Sequence, residues 1–107
     1  MRPIDSKSYH ILVVLAARPL HGYGIRQEVE ERSEGAVRLW PATLYGTLAD
    51  LAELGWIDET EGPGGADDDP RRRYYTLTAA GRDALEAETA RMESLARLAR
   101  SRLREAT

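Results

Sequence analysis

The residues of this 107-residue chain whose type and grouping could do chemistry are few: two histidines, a run of aspartates, a run of arginines and a small set of hydroxyls. His10 and His21 are isolated, too few for a metal site or a catalytic pair. The chain has no cysteine, which excludes disulfides and thiolate metal sites. Asp67-Asp68-Asp69 lacks the alternation of a calcium loop and no glutamate closes it, so it reads as a solvated charge run. With no nucleophile–base pair, phosphate loop or metal set, an enzyme is not expected, and neither is a cofactor. Non-covalent chemistry remains. Arg71-Arg72-Arg73 beside Tyr74-Tyr75, and the hydroxyls of Thr43, Tyr45 and Thr47, are the groups that neutralise or donate to phosphate oxygens and base edges.

Net charge argues the other way. It is −3, and nucleic-acid binders usually carry a basic domain or stripe. Its distribution matters more than its sum: acids gather in 58–69, arginines at 71–73 and 97–104. The chain is locally basic and globally acidic. Hydrophobic content of 42% and charged content of 31% fit one globular domain with a modest core. The apolar run Ile11–Ala17 is short for a signal peptide, and Arg18-Pro19 stands where a small-residue cleavage site would be. No stretch approaches the roughly 20 apolar residues that span a bilayer, so no membrane partner and a cytoplasmic location are expected.

The elements that must position these groups follow from periodicity. Ile11, Leu12, Leu15 and Ala16 recur at helical spacing within 8–18, with Ser6 or Ser8 as candidate caps and Pro19 as the stop. A second helix opens near Leu20-His21-Gly22 and runs to about Arg32. Ala36–Leu39 alternates and predicts a short extended piece, a candidate small strand. Pro41 suits the first turn of a third helix, whose Leu44, Leu48, Leu51 and Leu54 precede the stop at Gly55. Trp56–Thr60 and Arg73–Leu77 are rich in β-formers and flank Gly62-Pro63-Gly64-Gly65, which predicts a hairpin with a long loop over 61–72. Thr78-Ala79-Ala80-Gly81 then launches a long helix to about 104. Leu85, Met92, Leu95 and Ala99, widened by Leu98 and Leu103, form a stripe too long for this core to cover. A second copy of the chain is the simplest partner.

Three helices, a ribbon and a long terminal helix describe a mainly α winged helix-turn-helix. The winged domain covers 1–77 and the C-terminal dimerisation helix 78–107. The residues here resemble the PadR-like transcriptional regulators of the short type. The matching segments are Tyr9-His10-Ile11-Leu12 with Leu15, and Pro19-Leu20-His21-Gly22-Tyr23-Gly24-Ile25. They continue with Thr43-Leu44-Tyr45, Leu48, Leu51, Leu54-Gly55-Trp56-Ile57 and Arg72-Arg73-Tyr74-Tyr75-Thr76-Leu77-Thr78-Gly81, in the family's order and spacing. The resemblance implies a homodimeric, sequence-specific repressor at a near-palindromic operator in double-stranded DNA, often released by a small-molecule effector. Carried over by position, it places Tyr23, Thr43 and Tyr45 at the DNA face, and Arg72 and Arg73 at the basic base of the wing. Thr47, one turn further along the third helix, joins them, and Thr43, Tyr45 and Thr47 can each reach bases or phosphates. The acidic 67–69 run argues against contact at the wing tip. Ala42 stands where the family usually has glycine, Gly46 where it has proline, and Trp40 where a serine-like cap is common.

Competing readings accompany several residues. For Arg71–Arg73 the competing reading is a solvated run paired with 67–69. His21 is expected to pack or cap at a helix start. Tyr75 is expected in the core with Leu77, and Tyr74 outside. Trp56 is expected under the ribbon. Trp40 is expected in the core against the long helix, with a ligand cavity at the dimer interface as the other reading. Residues 82–107 hold no aromatic, which argues against a pore for planar drugs. The alternative function is a winged-helix protein-interaction module that does not bind DNA.

Overall fold

The first helix is nucleated by a carboxylate. In the computed structural model, which describes residues 4–62 and 73–106, Asp5 caps α1 (Ser6–Leu15) by accepting the Ser8 N–H at 2.9 Å. The expected serine caps are displaced because Asp5 lies immediately before the helix; Ser8 is buried and donates its own hydroxyl to Asp5. After α1 come β1 (Leu20–His21), α2 (Gly22–Arg32), α3 (Pro41–Glu53), β2 (Ile57–Thr60), β3 (Tyr74–Leu77) and α4 (Ala79–Glu105). Ile11, Leu12, Ile25, Leu44, Leu48 and Ile57 are shut off from solvent at the centre of one core.

The sheet is antiparallel with order β1-β3-β2. Its third strand is not Ala36–Leu39, where the alternation pointed, but Leu20–His21, paired with Tyr75 and Tyr74. Residues 36–39 do alternate in burial, with Leu39 and partly Val37 inward, and Ala36 and Arg38 outward. Their hydrogen bonds go locally instead. Ser33 Oγ accepts the Val37 N–H at 3.0 Å and its carbonyl accepts the Ala36 N–H at 3.1 Å, leaving the segment no ladder.

Helix α3 buries Leu44, Leu48 and Leu51, whereas Leu54, expected in the same stripe, is its C-cap and stays exposed. Gly55 follows at φ +79°, the left-handed conformation that ends the helix. There the chain is stitched to α4. Thr78 donates its hydroxyl to the Gly55 carbonyl at 2.6 Å, its N–H to the Trp56 carbonyl at 3.0 Å, and accepts the Gly81 N–H at 3.0 Å. Gly81 packs against the Trp56 carbonyl so closely that any Cβ would collide with it.

The start of α4 is thereby part of the common core: Gly81 and Ala84 are buried and Leu85 packs against the cluster. One turn on, the buried Glu88 carboxylate accepts the Ile4 N–H at 3.0 Å and two bonds from Arg91, at 2.7 and 2.9 Å. These donors, the Arg91 bond first, hold Glu88 below the usual glutamate range against the opposing effect of burial. Tyr9 Oη and Thr89 Oγ1 meet at 2.7 Å. Since Thr89 gives its hydrogen to the Leu85 carbonyl, Tyr9 is the donor. Helix α4 is thus pinned through Glu88 to the segment before α1 and through Thr89 to α1 itself.

Candidate nucleic-acid interface

The starts of α2 and α3 converge on one exposed face. Tyr45, on the first turns of α3, lies across the start of α2, where a Cβ on Gly22 would come within 2.7 Å of its hydroxyl. Glycine at 22 leaves the space in which the α3 phenol rests on α2, and a side chain there would push the exposed Tyr45 ring aside. Tyr23 and Tyr45 are 62% and 54% exposed, an unusual state for side chains with this much apolar surface. Thr43 is half-buried. Thr47 is also half-buried, and it donates its hydroxyl to the Thr43 carbonyl at 2.8 Å. That bond commits its hydrogen and leaves Thr47 as an acceptor towards any ligand.

His21 ties this face to the wing. Its Nδ1 accepts the Gly24 N–H at 3.0 Å and so caps α2, which places the imidazole proton on Nε2. The ring stacks beside Tyr23, centroids 6.4 Å apart, and meets Tyr74 edge-on at 5.3 Å. In the wing Tyr75 is buried, as its place beside Leu77 implied, while Tyr74 is only half out. Burial, reinforced by Glu59 and Tyr45 and opposed by Arg73, keeps the Tyr75 phenol neutral above its ordinary range. Trp56 is half-buried against the core. Arg73 stands just before β3, at the loop end of the ladder, and reaches across to Glu59 at 3.3 Å. An exposed pair of this kind contributes about 0–1 kcal/mol, so a phosphate can displace the glutamate. Arg72, with Arg71 and Asp67–Asp69, lies outside the described residues.

The remaining cations of the winged domain are mostly committed. Arg18 and Arg32 both pair with Glu28, and Arg38 with Glu30. Arg26 differs: among the described residues it pairs with no carboxylate, and its guanidinium lies 5.8 Å from the centre of the Trp40 ring. Trp40 itself overturns an expectation. It is 64% exposed rather than core, because the alternation that turns Leu39 inward turns Trp40 outward, and Pro41 keeps its backbone extended.

Comparison with known proteins agrees with this architecture. Residues 11–87 match the model of the transcriptional regulator PadR-like family. The chain belongs to that family. A PadR family regulator from Clostridium difficile superposes with a TM-score of 0.79 at 24% identity, covering 92% of this chain and 99% of that one. The Bacillus subtilis PadR bound to operator DNA superposes with a TM-score of 0.62 at 26% identity, over 75% of this chain and 44% of that one. A curated relative, an uncharacterized 37.1 kDa protein of a Streptomyces fradiae transposon, is 40% identical over 98 residues. This chain spans 92% of its own length in that match and only a quarter of the relative's.

In this PadR-like chain the distal half of α4 forms a second exposed surface. Its face continues from Gly81, Ala84 and Glu88 to Met92, Leu95 and Ala99, and none of the described residues covers it. Every residue from 90 to 100 is exposed, Leu95 to 57%. Leu85, grouped by sequence with this stripe, instead packs on its own core. Sequence reasoning missed Arg26 and Glu88 altogether. The spacing of Arg26 three residues after Tyr23 was the available signal for the first. For Glu88 there was none, because its partner is a backbone N–H from the other end of the chain. Among the described residues no cluster suits a metal ion and no helix is long and apolar enough to cross a membrane.

Proposed function

We propose that this PadR-like protein is a homodimeric, sequence-specific DNA-binding transcriptional regulator, a repressor that sits on a near-palindromic operator and is released by a small-molecule effector. The observation that carries the reading is the seating of Tyr45, from the start of α3, on Gly22 at the start of α2, with the rings of Tyr45 and Tyr23 both exposed there. Helix α3 enters the major groove, where its hydroxyls reach base edges or phosphates. Arg73, with Arg72, flanks the duplex from the wing and neutralises phosphate or enters the minor groove. The operator complex of the Bacillus subtilis PadR supports this use of the fold. Two copies pair through Met92, Leu95 and Ala99, with Leu85 at the edge of the stripe, and the pairing sets the half-site spacing. A ligand that shifts this pairing changes the spacing and releases the operator.

The test is fluorescence anisotropy on duplex DNA from upstream of the protein's own gene, repeated across a salt series. The logarithm of affinity should fall against the logarithm of salt with a slope of about −0.9 for each phosphate neutralised. The net charge of −3, with most described arginines of the winged domain held by glutamates, favours a second reading. In that reading the domain binds a protein, and no salt-sensitive binding to any duplex would support it.

A further inference from the structure

The N-cap position of α3 normally holds a short polar side chain that accepts a backbone N–H; Ser, Thr, Asp and Asn lead there. Trp40 occupies it and makes no capping bond. Nor does the indole serve the core, being 64% exposed. A tryptophan that neither caps nor packs sacrifices local stability, and an exposed large apolar side chain more often marks a contact surface. The position is not random, since Trp40 stands at the entrance to the helix that presents Thr43 and Tyr45.

Arg26 supplies the second observation. It sits one turn after Tyr23 on the same side of α2, and its guanidinium faces the Trp40 ring at 5.8 Å. Arg18, Arg32, Arg38 and Arg73 are each matched by a carboxylate. Arg26 has none among the described residues, so its charge is available to an anion without breaking a salt bridge. At an exposed site a cation–π contact contributes about 0.5–1 kcal/mol, enough to orient both groups but weak enough to yield to phosphate.

We infer that Arg26 and Trp40 form a specificity-determining pair: Arg26 holds a backbone phosphate, and Trp40 packs its indole against a thymine C5-methyl in the major groove. The inference rests on the DNA-binding reading above. The methyl is the one apolar group on the major-groove base edges, and it matches an indole whose nearest polar partner has turned to phosphate. The two residues then play different roles. Arg26 adds affinity on every sequence, whereas Trp40 adds it only where thymine stands.

The experiment selects the preferred duplex of the wild-type protein from a randomised pool, then replaces each thymine of that duplex in turn by deoxyuridine, which removes only the methyl. At one symmetric pair of positions the wild type should lose about 5–10-fold in affinity, the lower end of the range for one base-edge contact. Trp40→Ala should bind the unsubstituted duplex more weakly and lose nothing further on methyl removal, while Trp40→Phe should restore most of the methyl effect. Arg26→Gln should weaken selected and unrelated duplexes by similar factors and lower the salt slope by about 1. If the wild type binds with a steep salt slope but no thymine methyl matters, or if Trp40→Ala keeps the methyl effect, the pair does not read sequence. If the wild type binds no duplex at all, the DNA-binding reading fails and takes this one with it. Circular dichroism of each variant shows whether it remains folded.

Discussion

Two surfaces of this molecule expose large apolar side chains, and their chemistry differs. The face at the start of α2 and α3 shows Tyr23, Tyr45 and Trp40, rings with a polar handle, next to an arginine that no described carboxylate holds. The far half of α4 shows Met92, Leu95, Leu98 and Leu103, side chains with nothing polar to offer. Aliphatic stripes at spacings of three and four are satisfied by another stripe of the same kind. Amphipathic rings beside a cation suit a partner that is itself half apolar and half anionic, as stacked, methylated bases on a phosphate backbone are. The same degree of exposure thus suits self-association, as proposed, in one place and a chemically different partner in the other.

The comparison breaks most sharply at α4. Introducing Leu95→Glu together with Ala99→Glu should convert a sedimenting dimer to a monomer and lower operator affinity on the order of 100-fold, since the second half-site is then no longer tethered. A wild-type protein that sediments as a monomer at micromolar concentration would remove the basis of the contrast. Gly81→Ala tests how α4 is mounted. Its methyl would meet the Trp56 carbonyl, a backbone atom that cannot swing aside, so urea denaturation should show a loss of about 3 kcal/mol. Gly46→Ala, on the open side of α3 with nothing near the added methyl, should instead gain about 1 kcal/mol. Together the two glycines separate a mounting constraint from a helix-propensity defect on the candidate DNA face.

Smaller effects sharpen the distinction further. Arg73→Ala should leave stability within about 0.5 kcal/mol, because its pair with Glu59 is exposed, and should lower affinity for all duplexes evenly. An unchanged affinity for unrelated DNA would make Arg73 a bystander. Glu88 makes the mounting of α4 pH-dependent. Its carboxyl ionises more readily folded than unfolded, so the stability it adds is present above the ordinary glutamate range and is lost as the pH falls through its lowered folded value. Acid denaturation followed by circular dichroism should show this dependence reduced in Glu88→Gln.

The candidate site was partly legible in advance. The hydroxyls of Thr43 and Tyr45 followed from motif and register, whereas Arg73, expected at the base of the wing, stands at the loop end of the ladder. Trp40 is expected in the core against the long helix, yet the alternation of Val37 and Leu39 and the following proline turn it outward. The short strand Leu20–His21 has too few residues for any periodicity to register, and it exists only because β3 has an edge to fill.

By itself the amino-acid sequence determined Leu44, Leu48 and Leu51 as buried positions of α3, the proline that starts that helix and the glycine that ends it, and the apolar stripe that outruns the core. These are local or periodic properties, and a single chain expresses them wherever it folds. Tertiary structure alone decided that Tyr45 rests on Gly22, that Glu88 captures the Ile4 N–H across the length of the chain, and that Arg26 faces Trp40. Each depends on two segments meeting in space, and no spacing along one segment encodes where another will arrive.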